Sequence, residues 1–275
     1  MEMRSRILHP STYSQIITNV MNFSNDWTPL IGGNVNSVAL KDNVVRRQLT
    51  PVSPAIHQLL KYLEAKNFQG VPRLLDRDRD YEYLSYFPGE PIFRPWTNAI
   101  KTDEFVSQLG EWLKNYHHVV ADFKLEGDVK FNWGLAQPKS DTIVCHGDLG
   151  PWNCIQQDGK FKGIIDWDLA RYGYAIDNVA EFVFEFIPFN PNREETIGQV
   201  PDATLLRRLE VFCEAYGQIK PYEIIEHIPV YLTRMNADLR NRAKLGVEPF
   251  VSFVAGGIAD KLDRHRELVR SHWLK

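Results

Sequence analysis

The richest concentration of reactive side chains lies between His146 and Asp168. His146-Gly147-Asp148-Leu149-Gly150-Pro151 holds two glycines and a proline in six residues, which excludes a helix or a central strand and predicts a loop. The apolar run Ile143 to Cys145 enters this loop as a short strand, and Asn153 closes it. Asp158-Gly159, flanked by Ile155–Gln157 and Lys160–Ile165, is a strong hairpin signal. Such a hairpin returns the chain to the loop and delivers Asp166 and Asp168 beside Asp148 and Asn153. Carboxylates and an amide oxygen are hard ligands that suit Mg²⁺, which takes one or two carboxylates and completes its shell with water and phosphate oxygens. A further aspartate held off the metal can orient a hydroxyl and accept its proton. Those are the parts that phosphoryl transfer requires.

Elements must hold this loop in place, and the rest of the chain supplies them. Thr28–Ile31, Asn34–Leu40 and Val44–Leu49 read as an antiparallel meander, with a turn at Lys41-Asp42-Asn43. A short helix over residues 13–23 precedes it. Ser53-Pro54 opens a helix with apolar Leu59, Leu60 and Leu63. Tyr81 to Phe87 is an aromatic strand, broken by Pro88-Gly89-Glu90-Pro91. Thr102 caps a helix with Asp103 and Glu104 in its first turn and a stripe of Phe105, Leu109, Trp112, Leu113 and Tyr116. From Asp177 to Trp273 the pattern is mostly helical. The expected fold class is α+β: an N-terminal lobe over 1–87 with a small antiparallel sheet and one helix, a linker near 85–91, and a larger, mostly helical lobe over 88–275. A cleft between two lobes is a favoured ligand site.

Composition narrows the function. The 275 residues carry 32 basic and 35 acidic side chains, a net charge of −3, which argues against a general nucleic-acid binder. The longest apolar stretch, Phe250 to Ala259, is about half the ~20 residues of a membrane span. Three cysteines, Cys145, Cys154 and Cys213, without a Cys-x-x-Cys pair suit a reducing, cytoplasmic setting. Cys145 beside His146 is not a dyad, because neighbours on a strand face opposite ways. The histidines show no zinc-ligand spacing. Residues 141–230 hold 7 basic and 15 acidic side chains, an excess that suits metal ions or a cationic ligand and equally a solvated helical face.

His-Gly-Asp-Leu-x-x-x-Asn followed by Ile-Asp-Trp-Asp resembles the aminoglycoside phosphotransferase family of small-molecule kinases, and with it the bilobal protein-kinase-like fold. The resemblance implies Asp148 as catalytic base, Asn153 and Asp166 as Mg²⁺ ligands, Asp168 as a supporting acid, His146 as a brace of the loop, and Asp177 as a structural helix start. Gly32-Gly33-Asn34-Val35-Asn36-Ser37 resembles the family's phosphate loop, which implies contacts from Gly32, Gly33, Asn36 and Ser37; a plain hairpin turn explains the same glycines. Ser85 to Phe87 resembles the hinge, which implies base contacts from the backbone near Ser85 and Phe87. The resemblance places the phosphate-pairing cation of the third strand at Arg46, an arginine where lysine is usual, and leaves Arg47 on the opposite face. The matching helix position for its acidic partner falls near Ile56 or His57, neither acidic, so the ion pair is absent or another acid supplies it. Trp152, Trp167, Tyr172, Tyr174, Glu181 and Glu185 are candidates to line the acceptor. The implied activity is Mg²⁺-dependent transfer from ATP or GTP to a small-molecule hydroxyl. The alternatives are a pseudokinase that binds nucleotide and acts through a protein partner, and a kinase of protein substrates, against which the missing Ala-Pro-Glu segment speaks.

Overall fold

The computed structural model describes residues 26–30, 38–135, 138–190 and 193–274. The expected helix over 13–23 and the 32–37 loop lie outside them.

The N-terminal part is a five-stranded antiparallel sheet in the order β1-β2-β3-β5-β4 (β1, Thr28–Pro29; β2, Val38–Lys41; β3, Val44–Gln48; β4, Leu74–Arg77; β5, Tyr81–Ser85). The β2–β3 turn falls on Asp42 and Asn43, both at positive φ (49° and 63°), residues that tolerate this region with little strain. Strand β4 is an addition to the sequence expectation. Its charged Leu-Leu-Asp-Arg text shows no alternation, and only its leading Leu74 packs inward. Helix α1 (Ser53–Ala65) starts on Pro54 and buries Ile56, Leu59, Leu60 and Leu63. Each such side chain contributes roughly 1.5–3 kcal/mol of burial free energy.

The remainder is led by α2 (Asp103–Val120), where the Phe105 amide donates to Thr102 Oγ1 at 3.2 Å as the cap signal predicts. The apolar stripe of α2 is buried, and Tyr116 Oη donates to Val144 O at 2.8 Å. That bond fixes β7 (Thr142–Cys145) where it enters the loop that carries Asp148. Strand β7 pairs with β10 (Arg171–Tyr174), and β6 (Glu90–Pro91), β8 (Cys154–Gln157) and β9 (Lys160–Ile164) form a three-stranded sheet. The β8–β9 turn is the expected Asp158-Gly159, both at positive φ. Helices α3 (Ala175–Phe186), α4 (Arg193–Ile197), α5 (Asp202–Tyr216), α6 (Pro221–Lys244), α7 (Phe250–Ala255) and α8 (Ile258–Trp273) complete the chain. Helix α5 lies against α2 where Gly110 approaches the Phe212 carbonyl; a Cβ there would come within 2.9 Å of it. The α+β, kinase-like architecture agrees with the sequence reading. Among the described residues, no helix is long and apolar enough to cross a membrane.

Candidate functional site

The His146–Pro151 loop is held from both sides by His146, which is fully buried. Its Nε2–H donates to Ile165 O at 3.0 Å, and its Nδ1 accepts from the Asp148 amide at 3.2 Å. Burial pushes its pKa down to about 3, so the ring is neutral and serves as a strut. Trp167 packs edge-on against it, with ring centroids 4.4 Å apart. Gly147, at φ +88°, lies so close to the Leu169 carbonyl that a Cβ would overlap it. The loop is thereby fastened to the segment that carries Asp166.

Asp148 points out of this frame. Asn153 Nδ2 donates to its carbonyl oxygen at 2.9 Å and to its Oδ2 at 2.8 Å, and Trp152 Nε1 donates to the same Oδ2 at 3.1 Å. Burial lifts the Asp148 pKa above the usual carboxylate range, while the two donors pull it back. With its nitrogen committed to Asp148, Asn153 has its amide oxygen as the atom that could bind a cation. Asp166 adopts the left-handed conformation (φ 64°, ψ 68°), which costs a non-glycine residue of order 1 kcal/mol or more, and its half-exposed carboxylate lies 3.4 Å from Arg47. Desolvation by the surrounding cleft walls, followed by the neighbouring Asp168 charge, raises its pKa to about 6. Among the described residues no three His, Cys, Asp or Glu side chains cluster as a metal cage. One carboxylate and one amide oxygen fit a hard cation that completes its shell with water and phosphate.

Of the two arginines of β3, Arg47 and not Arg46 faces Asp166 and Asp168. Arg47 is buried and reaches Asp168 at 2.5 Å, Asp166 at 3.4 Å and Glu82. Burial opposes its charge, but Asp168, Glu82 and Asp166 outweigh that and hold its pKa above the ordinary guanidinium value. Arg46 faces the other side and lies between Trp27 and Tyr81, at 4.5 and 4.7 Å from the ring centroids. The reason is register: Arg47 stands opposite Glu82 and Val45 opposite Leu84, so the inward face of β3 carries Val45 and Arg47. The acid missing from the helix is thus supplied by a strand. Glu82, with no exposed surface, bonds Arg47 through Oε1 and His57 Nε2 through Oε2. His57 occupies the helix position read as lacking an acid. The signal for Glu82 was a carboxylate inside the alternating strand Tyr81-Glu82-Tyr83-Leu84, on the same face as Leu84.

The hinge segment already has partners. The Ser85 amide donates to Arg73 O, Ser85 Oγ accepts from the Arg73 amide, and the Tyr86 amide donates to Asn43 O. The ring of Phe87 lies over Gly163, where a Cβ would come within 2.8 Å of it. Gly32, Gly33, Asn36 and Ser37 lie outside the described residues.

Helix α3 carries Glu181 and Glu185 one turn apart. Burial raises both pKa values to about 7. Glu181 lies 3.8 Å from the buried Arg171, whereas Glu185 lies 3.7 Å from Arg94. Trp167 and Tyr172 are core residues, 2% and 5% exposed, which removes them from the acceptor candidates. Tyr174 carries Arg234 over its ring at 4.9 Å. Asp177 accepts from Arg234 at 3.0 Å and bonds His227 at 2.6 Å, a tie between α3 and α6.

Fold and loop together define the class: a protein-kinase-like chain whose residues 128–221 carry the sequence pattern of the phosphotransferase enzyme family. The matched segment contains the His-Gly-Asp loop on which the sequence resemblance rests. Among curated proteins, the trifolitoxin immunity protein of Rhizobium leguminosarum bv. trifolii is 32% identical over 152 residues, which cover 53% of this chain. The match spans 56% of that relative's length, a little over half. Among solved structures, an amicoumacin kinase in complex with AMP-PNP and Ca²⁺ superposes with a TM-score of 0.63 at 10% identity, over 97% of this chain and 94% of that one. An ethanolamine kinase of Plasmodium vivax gives a TM-score of 0.58 at 13% identity, over 90% and 83% of the two chains.

Proposed function

We propose that this chain transfers the γ-phosphoryl group of a nucleoside triphosphate to a hydroxyl of a small molecule in a Mg²⁺-dependent reaction. The observation that carries the reading is the bond from Asn153 Nδ2 to Asp148 Oδ2, which joins a base and a metal ligand on one loop facing Asp166. The reaction takes place in the cleft between the sheet lobe (1–87) and the helical lobe (88–275). Asp148 orients the acceptor hydroxyl and takes its proton as the oxygen attacks phosphorus. Asn153 and Asp166 would hold Mg²⁺, which neutralises developing phosphate charge when bound. Arg47 takes the phosphate-pairing role. Backbone groups near Ser85 and Phe87 receive the base.

The acceptor class follows from the relatives' names: one is an immunity protein for trifolitoxin, and one solved neighbour is a kinase named for amicoumacin. We take the acceptor to be a hydroxylated toxic compound that phosphorylation disarms. A second reading has a specific observation behind it. Arg47 engages both Asp166 and Asp168, so a chain that keeps this closed arrangement would bind nucleotide without transferring phosphate and would act through a partner.

Thermal melts with ATP or GTP, with and without Mg²⁺, test the proposal. A nucleotide at 100 times its Kd stabilises by about 2.7 kcal/mol, a shift of several degrees. A Mg²⁺-dependent rise, followed by labelled phosphate on a small molecule, supports transfer. A rise with no acceptor labelled supports the second reading. No rise at millimolar nucleotide overturns both.

A further inference from the structure

Trp152 is a large aromatic side chain, 38% exposed, on the rim of the catalytic loop. Its Nε1–H is 3.1 Å from Asp148 Oδ2, the oxygen that also accepts from Asn153 Nδ2 at 2.8 Å. Two donors from the single 3₁₀ turn Pro151–Asn153 therefore converge on one carboxylate oxygen. They fix the rotamer of Asp148 and leave its Oδ1 to meet a hydroxyl.

The indole reaches that position only because residue 150 has no side chain. A Cβ on Gly150 would overlap the Trp152 ring at Cζ2, Cε2 and Cη2. The backbone does not itself require glycine there: φ is −107° and ψ is 162°, a conformation open to any residue. Gly147 differs, since its φ of +88° demands glycine directly. What glycine provides at 150 is room for the ring.

We propose that Trp152 is a positioning residue, seated on Gly150, which holds the Asp148 carboxylate in its reactive orientation. The inference rests on the phosphotransferase reading for its kinetic consequence but not for its geometry.

A double-mutant cycle tests it on the full chain. The probe is Mg-ATP with water as the acceptor, read as phosphate release, so no acceptor need be known. Trp152→Phe is expected to lower kcat about tenfold, the size of one lost hydrogen bond to a charged group, with the nucleotide KM unchanged. Gly150→Ala is expected to reproduce that loss in the native chain and to cost nothing further in a Trp152→Ala background. Wild-type kcat in Trp152→Phe, or an equal cost of Gly150→Ala with and without the indole, overturns the proposal. Hydrogen exchange of the Trp152 indole N–H gives a readout independent of turnover. Slow exchange in the native chain and fast exchange in Gly150→Ala is expected, and fast exchange in the native chain overturns the geometry. If the native chain neither binds nor hydrolyses nucleotide, the phosphotransferase reading fails, and indole exchange alone decides the contact.

Discussion

Arg47 on β3 and Glu82 on β5 stand directly opposite each other and meet in the interior of the sheet. The ion pair that a kinase-like fold forms between strand and helix is formed here between two strands. Helix α1 joins it through His57, on the other oxygen of Glu82. The position of the cation is therefore set by strand register.

This pairing makes the two adjacent arginines unequal. Arg47→Met strands Glu82 in the core, and loss of one partner of a buried pair costs about 3–5 kcal/mol. Replacing both, Arg47→Met with Glu82→Leu, is expected to recover most of that stability while nucleotide affinity stays lost. Arg46→Gln removes a cation–π contact on the outer face and costs about 0.5–1 kcal/mol. Urea unfolding and nucleotide titration of the four chains check this. An Arg46 variant that loses nucleotide while Arg47→Met retains it would reverse the assignment.

Asp148→Asn keeps the shape of the loop but removes the proton acceptor. Turnover is expected to fall by about 10²–10⁴. Nucleotide affinity should change little, since the phosphate-facing groups are untouched. Phosphate release and nucleotide titration on the same sample separate the two; turnover at the native rate would exclude Asp148 as the base.

Gly147→Ala should be severe. The added Cβ meets the Leu169 carbonyl and the residue must hold φ at +88°, two costs that together exceed about 3 kcal/mol. Calorimetry should show a large drop in Tm, and a melt within a degree or two of the native chain would show that the loop can shift without cost.

Protonation should act on stability in two opposed windows. His117 donates from Nδ1 to Tyr216 Oη and accepts from Asn178 at Nε2, and burial lowers its pKa to about 3, as it does for His146. The folded state then binds fewer protons than the unfolded state below the ordinary histidine value of 6.5. The stabilisation is complete above pH 6.5 and is lost as pH falls towards 3. Glu181 and Glu185 behave oppositely: raised from 4.5 to about 7, their contribution is complete below 4.5 and lost as pH rises through 7. Accordingly, His117→Gln should flatten the acid side of the stability curve, and Glu185→Gln should gain on the order of 2 kcal/mol relative to the native chain at pH 8. Denaturant midpoints from pH 4 to 9 provide the measurement, and parallel curves for native and variant chains would remove these groups from the account.

The loop that carries Asp148, the hairpin that brings Asp166 back and the capped helix α2 were all legible in the linear text. Each is governed by local chemistry: glycine and proline in the loop, an Asp-Gly turn at positive φ, a threonine cap and an apolar stripe of period 3.6. Strand alternation also said correctly that Arg46 and Arg47 face opposite ways. It did not say which of them faces inward, because alternation is symmetric until a partner strand breaks it. Glu82, remote in sequence and opposite Arg47 only once β3 and β5 are in register, made that choice. Trp167 and Tyr172, read as acceptor candidates, are buried because Trp167 packs against Tyr116 and His146 and Tyr172 against Phe131, whereas Trp152 stays at the surface on the loop rim. Local turn chemistry writes the positions of the reactive groups into the sequence; the face each one presents is a long-range property, fixed by strand register and by what packs on either side.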